Sequence, residues 1–254
     1  MKTGLWCAMA AALLGAFWAA AEDKAVTPAC GKIIGKALWE GEIPERKKLE
    51  VNKDNEKCEC DAKSGAKQAF KLDETLVVDP GTRGVAHCVA WLKGAKGGPV
   101  LGPVEIDQKG CVFTPHVALL TVGQKLKVLN PDGIAHNFHW WSKENPADNK
   151  TIAKFKKSLE VPEAGFAKPE FIRITCDIHL WMGSWVAILE NGYADGSDEK
   201  GAFQIAGMPP GKYTLALWHE PLTKDGAPIL LEKEVTVEAG KAAEVSFTLS
   251  APKK

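Results

Sequence analysis

The chain lacks an excess of charge of either sign, with 32 basic residues against 32 acidic ones. A nucleic-acid partner, which calls for a basic face, is therefore not expected. Long apolar runs are missing after Ala21, so nothing beyond that point is expected to span a membrane. No stretch carries a sustained helical apolar period with end signals, and the class expected is mainly β. The Cys-x2-Cys-His haem signature is absent, and Cys58-Glu59-Cys60 is too closely spaced for the usual zinc knuckle.

What is present begins with Met1-Lys2, an apolar run from Leu5 to Ala21 and small residues before Glu22-Asp23. This has the form of a secretory leader over residues 1–21, with cleavage expected after Ala21. It predicts a periplasmic or secreted protein with no stable membrane insertion once the leader is removed. The mature chain then carries 31 basic and 32 acidic residues, because the leader contains Lys2 and no acid. An exported chain meets an oxidising compartment, which suits disulfide roles for Cys30, Cys58, Cys60, Cys88 and Cys111. Their pairing stays open, with at most two bridges and one thiol left over if Cys176 is not bridged.

The densest chemistry lies in Cys176-Asp177-Ile178-His179-Leu180-Trp181-Met182, a Cys-x2-His-x2-Met stretch between two apolar runs, Phe171 to Thr175 and Trp185 to Leu189. A thiolate, an imidazole and a thioether are thus delivered to one short loop. His136, in the turn that follows the strand Lys125 to Leu129, can supply a second imidazole. His2Cys with a weak axial Met is the ligand set of a blue-copper site. His139 competes for the role of His136, which is preferred because Asn137 follows it. His87 reads as a strand residue of Val85 to Leu92, and neither His116 nor His219 has a partner motif. In the competing copper-free reading Cys176 is bridged to Cys111.

On these residues the segment 100–189 resembles the cupredoxins, with an amicyanin-like ligand loop. Asn-x5-His-Asn at Asn130 to Asn137, the strand after Gly123 and Cys-x2-His-x2-Met carry the resemblance. It implies a Greek-key β-sandwich and one type 1 copper held by His136, Cys176, His179 and Met182. It also implies that Asn137 braces the two ligand loops. Read from the residues, Ile134, Leu180 and Trp181 are expected to form an apolar rim about an exposed edge of His179, a candidate docking patch. The function implied is electron transfer with a redox protein partner, an amine dehydrogenase or a cytochrome, without enzymatic activity of its own. A multicopper oxidase is not expected, because no His-Cys-His run and no second ligand set stand in the sequence. Two other readings are a copper carrier and an extracellular or cell-surface binding module with a degenerate or structural copper loop.

Beyond Glu190, Asp195-Gly196-Ser197 and Pro209-Pro210-Gly211-Lys212-Tyr213 resemble the carboxypeptidase-regulatory-like and Cna-B modules, which implies a second, Ig-like β-sandwich. Residues 190–252 are short for that sandwich, and 30–99 look like its opening strands. The cupredoxin unit would then be inserted into it, with Gly94 to Pro99 as a flexible join. A linear series of three pieces is the alternative.

Overall fold

A computed structural model of the protein describes residues 29–59, 66–102 and 104–251. The expected leader lies outside these residues. The fold is mainly β, as expected, and the one helix among the described residues is the single turn Asn55–Cys58. Among them no helix is long and apolar enough to cross a membrane.

The first strand, Gly31–Glu40, alternates buried and exposed positions along its length. That period of two turns Ile33, Ala37 and Trp39 inward. The strand pairs antiparallel with Ala202–Met208 and parallel with Ala242–Ser250, so the beginning and the end of the chain share one sheet. A second sheet joins Ala194–Gly196, Val89–Lys93, Gly211–His219 and Ile229–Val237 in that order. Phe203, Leu215, Leu217, Phe247 and Leu249 fill the space with Ile33 and Trp39.

The chain between these strands builds another pair of sheets. One is five-stranded, in the order Val117–Thr121, Gly183–Leu189, Glu170–Thr175, His136–Trp141 and Asp148–Ile152. The other joins Ser158–Val161, Leu126–Leu129 and Glu105–Asp107. Phe113, Leu126, Phe138, Trp140, Ile172 and Val186 lie in the core they enclose. Where the two units meet, Trp218 stacks on Phe171 with ring centroids 4.4 Å apart and meets Trp185 edge-on at 5.2 Å.

Several local expectations fail for identifiable reasons. Val85 to Leu92 alternates like a strand, but the strand is Val89–Lys93; Val85 makes an isolated bridge to Val78 and His87 turns the chain at φ 64°. His87 is therefore a turn residue. Phe155 to Val161, whose apolar residues suggest one strand, is a strand only from Ser158, and Phe155 is exposed. The polar stretch from Asn145 contains the strand Asp148–Ile152, which pairs at the sheet edge where few side chains need burial. The join at Gly94 to Pro99 is packed against the returning chain. Gly192 N donates to Gly97 O at 3.0 Å, and a Cβ on Gly192 would lie 1.5 Å from Pro99 O, so only glycine allows the approach. Finally, 30–99 does not all go to one sandwich. Val51 and Cys58, beside the paired strands Lys48–Glu50 and Phe70–Leu72, pack into the core around Phe113 and Phe138.

Candidate metal centre

His136 opens the strand His136–Trp141, and Cys176 directly follows Glu170–Thr175. The two strands are antiparallel with Thr175 opposite His139, so running the register on carries the loop after Cys176 across His136. Gly183, opposite Thr175, returns the chain, and Met182 N donates to His179 O at 2.9 Å to close the loop. Asn137 fixes the loop from the other strand. Its Oδ1 accepts the backbone N–H groups of Asp177 and Ile178 at 2.7 and 3.2 Å and lies 3.3 Å from Cys176 Sγ. Its Nδ2 donates to Asn149 Oδ1 at 2.6 Å.

The donor atoms converge. His136 Nδ1 and His179 Nδ1 are 3.0 Å apart, Cys176 Sγ is 3.7 Å from His179 Nδ1, and one donor from each residue lies within 4.8 Å of the others. Met182 is buried in the same cluster. The other nitrogen of each ring faces a carboxylate: His136 Nε2 is 3.1 Å from Asp132 Oδ2, and His179 Nε2 is 2.9 Å from Asp54 Oδ2. A carboxylate accepts the Nε2 proton, which leaves both Nδ1 lone pairs aimed at one point. Burial by itself would raise the Asp132 carboxyl, but hydrogen bonds from His136 and from the Gly110 and Cys111 N–H groups hold it below its usual range.

Two imidazole lone pairs and a sulfur facing one another in a buried space repel unless a cation lies between them. These residues therefore fit a borderline or soft metal ion. Without one, a proton takes its place. Burial opposes charge on His136, yet its bonds to Asp132 and Cys176 raise it to about 9. Burial also opposes the Cys176 thiolate, but bonds from His136, His179 and the Asn137 backbone lower the thiol to about 6. At pH 7.5 the sulfur is thus ionised while His136 still holds its proton. Metal uptake there should release about one proton per ion, rising towards about two below pH 6 and vanishing above pH 9. Calorimetry in buffers of different ionisation enthalpy checks this, and a heat independent of buffer at pH 7.5 would contradict the assignment.

His179 departs from expectation, because its edge is not exposed. The ring is fully buried, covered by Asp54 at the head of the helix Asn55–Cys58. Cys58 is bonded to Cys111, which ties that cap down. Of the residues expected around an exposed edge, Leu180 is 83% exposed while Trp181 and Ile134 are partly buried, and Trp181 Nε1 donates to Cys111 O at 3.0 Å. His139 stands apart from the donors, hydrogen-bonded to Asp177 and stacked on Trp141. Cys88 is a free thiol that burial pushes up to about 12, which makes it a packing residue. Neither carboxylate belongs to the ligand motifs of the sequence. Asp132, four residues before His136, was open to detection from that spacing; Asp54 left no local signal.

A family model for polysaccharide lyase family 4, domain II, matches residues 192–245, within the stretch read as carboxypeptidase-regulatory-like or Cna-B-like. No curated protein matches the chain. Solved structures similar to it include a Cu-containing nitrite reductase from Thermus scotoductus SA-01, at 21% identity and a TM-score of 0.31 over 38% of this chain. The match spans 24% of that reductase's length. A purple cupredoxin from Nitrosopumilus maritimus matches at 15% identity and a TM-score of 0.29, over 34% of this chain and 99% of its own. An oxidised amicyanin variant matches at 16% identity and a TM-score of 0.30, over 39% of this chain and 98% of its own.

Proposed function

We propose that this is an exported type 1 copper protein that passes single electrons between redox partners. His136, Cys176 and His179 would supply the strong donors and Met182 a weak one. The observation that carries the reading is the meeting of Nδ1, Nδ1 and Sγ in a buried space, with each Nε2 turned to a carboxylate. Copper bound there would supply a one-electron couple, since thiolate and thioether favour Cu(I) and imidazole also suits Cu(II).

The chain's own part is to keep the donors still. Asn137 holds the Cys176 loop against the His136 strand, and Asp132 and Asp54 fix the two rings. Donors held in this way need not rearrange as charge changes, which favours electron carrying. Full burial of His179 beneath a disulfide-tied cap argues against a carrier that must give up its ion quickly.

We further read the copper unit as inserted between the strands of the other sandwich, a reading supported by the pairing of Gly31–Glu40 with Ala202–Met208 and Ala242–Ser250. The partner is a redox protein, an amine dehydrogenase or a cytochrome, docking where Leu180 projects beside Trp181. No catalysis by the chain itself is proposed, and the setting is periplasmic or secreted. The test is titration of the mature protein with Cu(II). One ion per chain and an intense visible thiolate-to-copper band, bleached by reductant and restored by oxidant, is the expected result. A colourless complex would refute the proposal.

A further inference from the structure

Asp54 heads the single helical turn Asn55–Cys58, at the position where an aspartate side chain ordinarily accepts a backbone N–H from the first turn of its helix. Here it makes no such bond. The carboxylate is directed instead at another part of the chain, and its Oδ2 lies 2.9 Å from Nε2 of His179, 125 residues further on. The backbone of Asp54 is left-handed, with φ 49° and ψ 39°. That conformation is uncommon for a residue with a side chain and persists where the surroundings hold it. Asp54 thus forgoes both its local cap bond and a relaxed backbone while it meets His179.

Part of what holds it is covalent. Cys58, at the other end of the turn, is bridged to Cys111. Cys111 N donates to Asp132 Oδ2 at 2.9 Å, the same oxygen that meets His136 Nε2. One bridge therefore ties together the two segments that bring a carboxylate to each ligand ring. Asp132 shares its charge with the N–H groups of Gly110 and Cys111, whereas the Asp54 carboxylate faces His179 from a part-exposed position.

A carboxylate bonded to the outer nitrogen of a ligand imidazole makes the inner nitrogen more basic. It also sets a negative charge on the far side of the ring from the other donors. Both effects favour the more positive of two metal oxidation states. The Asp54 side chain is 39% exposed, so solvent and salt screen part of its charge, and the bond through the buried ring carries the rest.

We propose, on the copper reading given above, that Asp54 is a positioning residue that acts through His179. It fixes that ring and biases the centre towards Cu(II), lowering its reduction potential.

The test is spectroelectrochemistry of the copper-loaded mature chain. Asp54→Asn keeps a side-chain oxygen for the His179 N–H, suits left-handed backbone and removes the charge. It should shift the preference between the oxidation states towards Cu(I) by about tenfold, a rise in midpoint potential of about 59 mV. Asp54→Gly, which the same backbone admits, removes the acceptor as well and should also move the visible band, because the ring is no longer held. Glu56→Gln takes an equal charge from an exposed position in the same turn and should leave potential and band as they are. A potential that ignores Asp54→Asn, or that Glu56→Gln moves as far, would overturn the role given to Asp54. A parent chain without the thiolate band would instead refute the copper reading itself, so the two failures are told apart.

Discussion

Cys176→Ser should give a folded protein that has lost the intense visible band altogether. The band is a thiolate-to-copper charge transfer, and a serine hydroxyl has no sulfur orbital to supply it. The fold should survive because the replacement is nearly the same size. Its hydroxyl can donate to Asn137 Oδ1 and accept the His179 N–H, which now reaches Cys176 Sγ at 3.4 Å. The stability cost expected is about 1 kcal/mol, that of one altered buried hydrogen bond. Visible absorption of the copper-loaded variant and urea unfolding of the metal-free one check the two halves. A retained intense band would place the copper thiolate elsewhere, and Cys88, the other free cysteine among the described residues, would be the one to examine.

Asn137→Ala should be the most damaging single change near the centre. Asn137 is buried, and its Oδ1 is the acceptor for two backbone N–H groups of the ligand loop. Without it, Asp177 N and Ile178 N lose the acceptor of two part-buried hydrogen bonds. Leaving a buried donor unsatisfied costs about 1–3 kcal/mol, so a loss of about 2–4 kcal/mol is expected from the pair. The loop also loses its tie to the His136 strand, so the Cys176 and His136 donors should no longer keep a fixed spacing. The copper band should shift and broaden, unlike the clean disappearance in Cys176→Ser. Urea midpoints and the visible spectrum together separate the cases, and a variant as stable as the parent with an unchanged band would mean Asn137 does not brace the loop. Asn137→Asp keeps an acceptor oxygen for the two N–H groups but gives up the Nδ2 donation to Asn149 Oδ1, so it should restore part of the stability while placing a negative charge beside the sulfur.

The chain order of His136, Cys176 and His179 was enough to predict that these three side chains meet, because they sit at the ends of strands that local apolar patterning defines. A loop of seven residues between two strands cannot carry Cys176 and His179 far apart, and alternation in Gly31–Glu40 reveals its buried face without any partner in view. Those are short-range constraints, and sequence expresses them directly.

The tertiary structure decided what covers the centre and what else gathers in the molecule. Asp54 reaches His179 across 125 residues, held there by the Cys58–Cys111 bridge, and closes an edge expected to be open. His87 meets His116 because Val85 to Cys88 bends away from the strand its alternation suggests, and Glu220 reaches His116 from the far end of the other sandwich. Side-chain partners separated by a hundred residues are chosen by how sheets stack and where loops cross, and that choice is made only when the whole chain has packed.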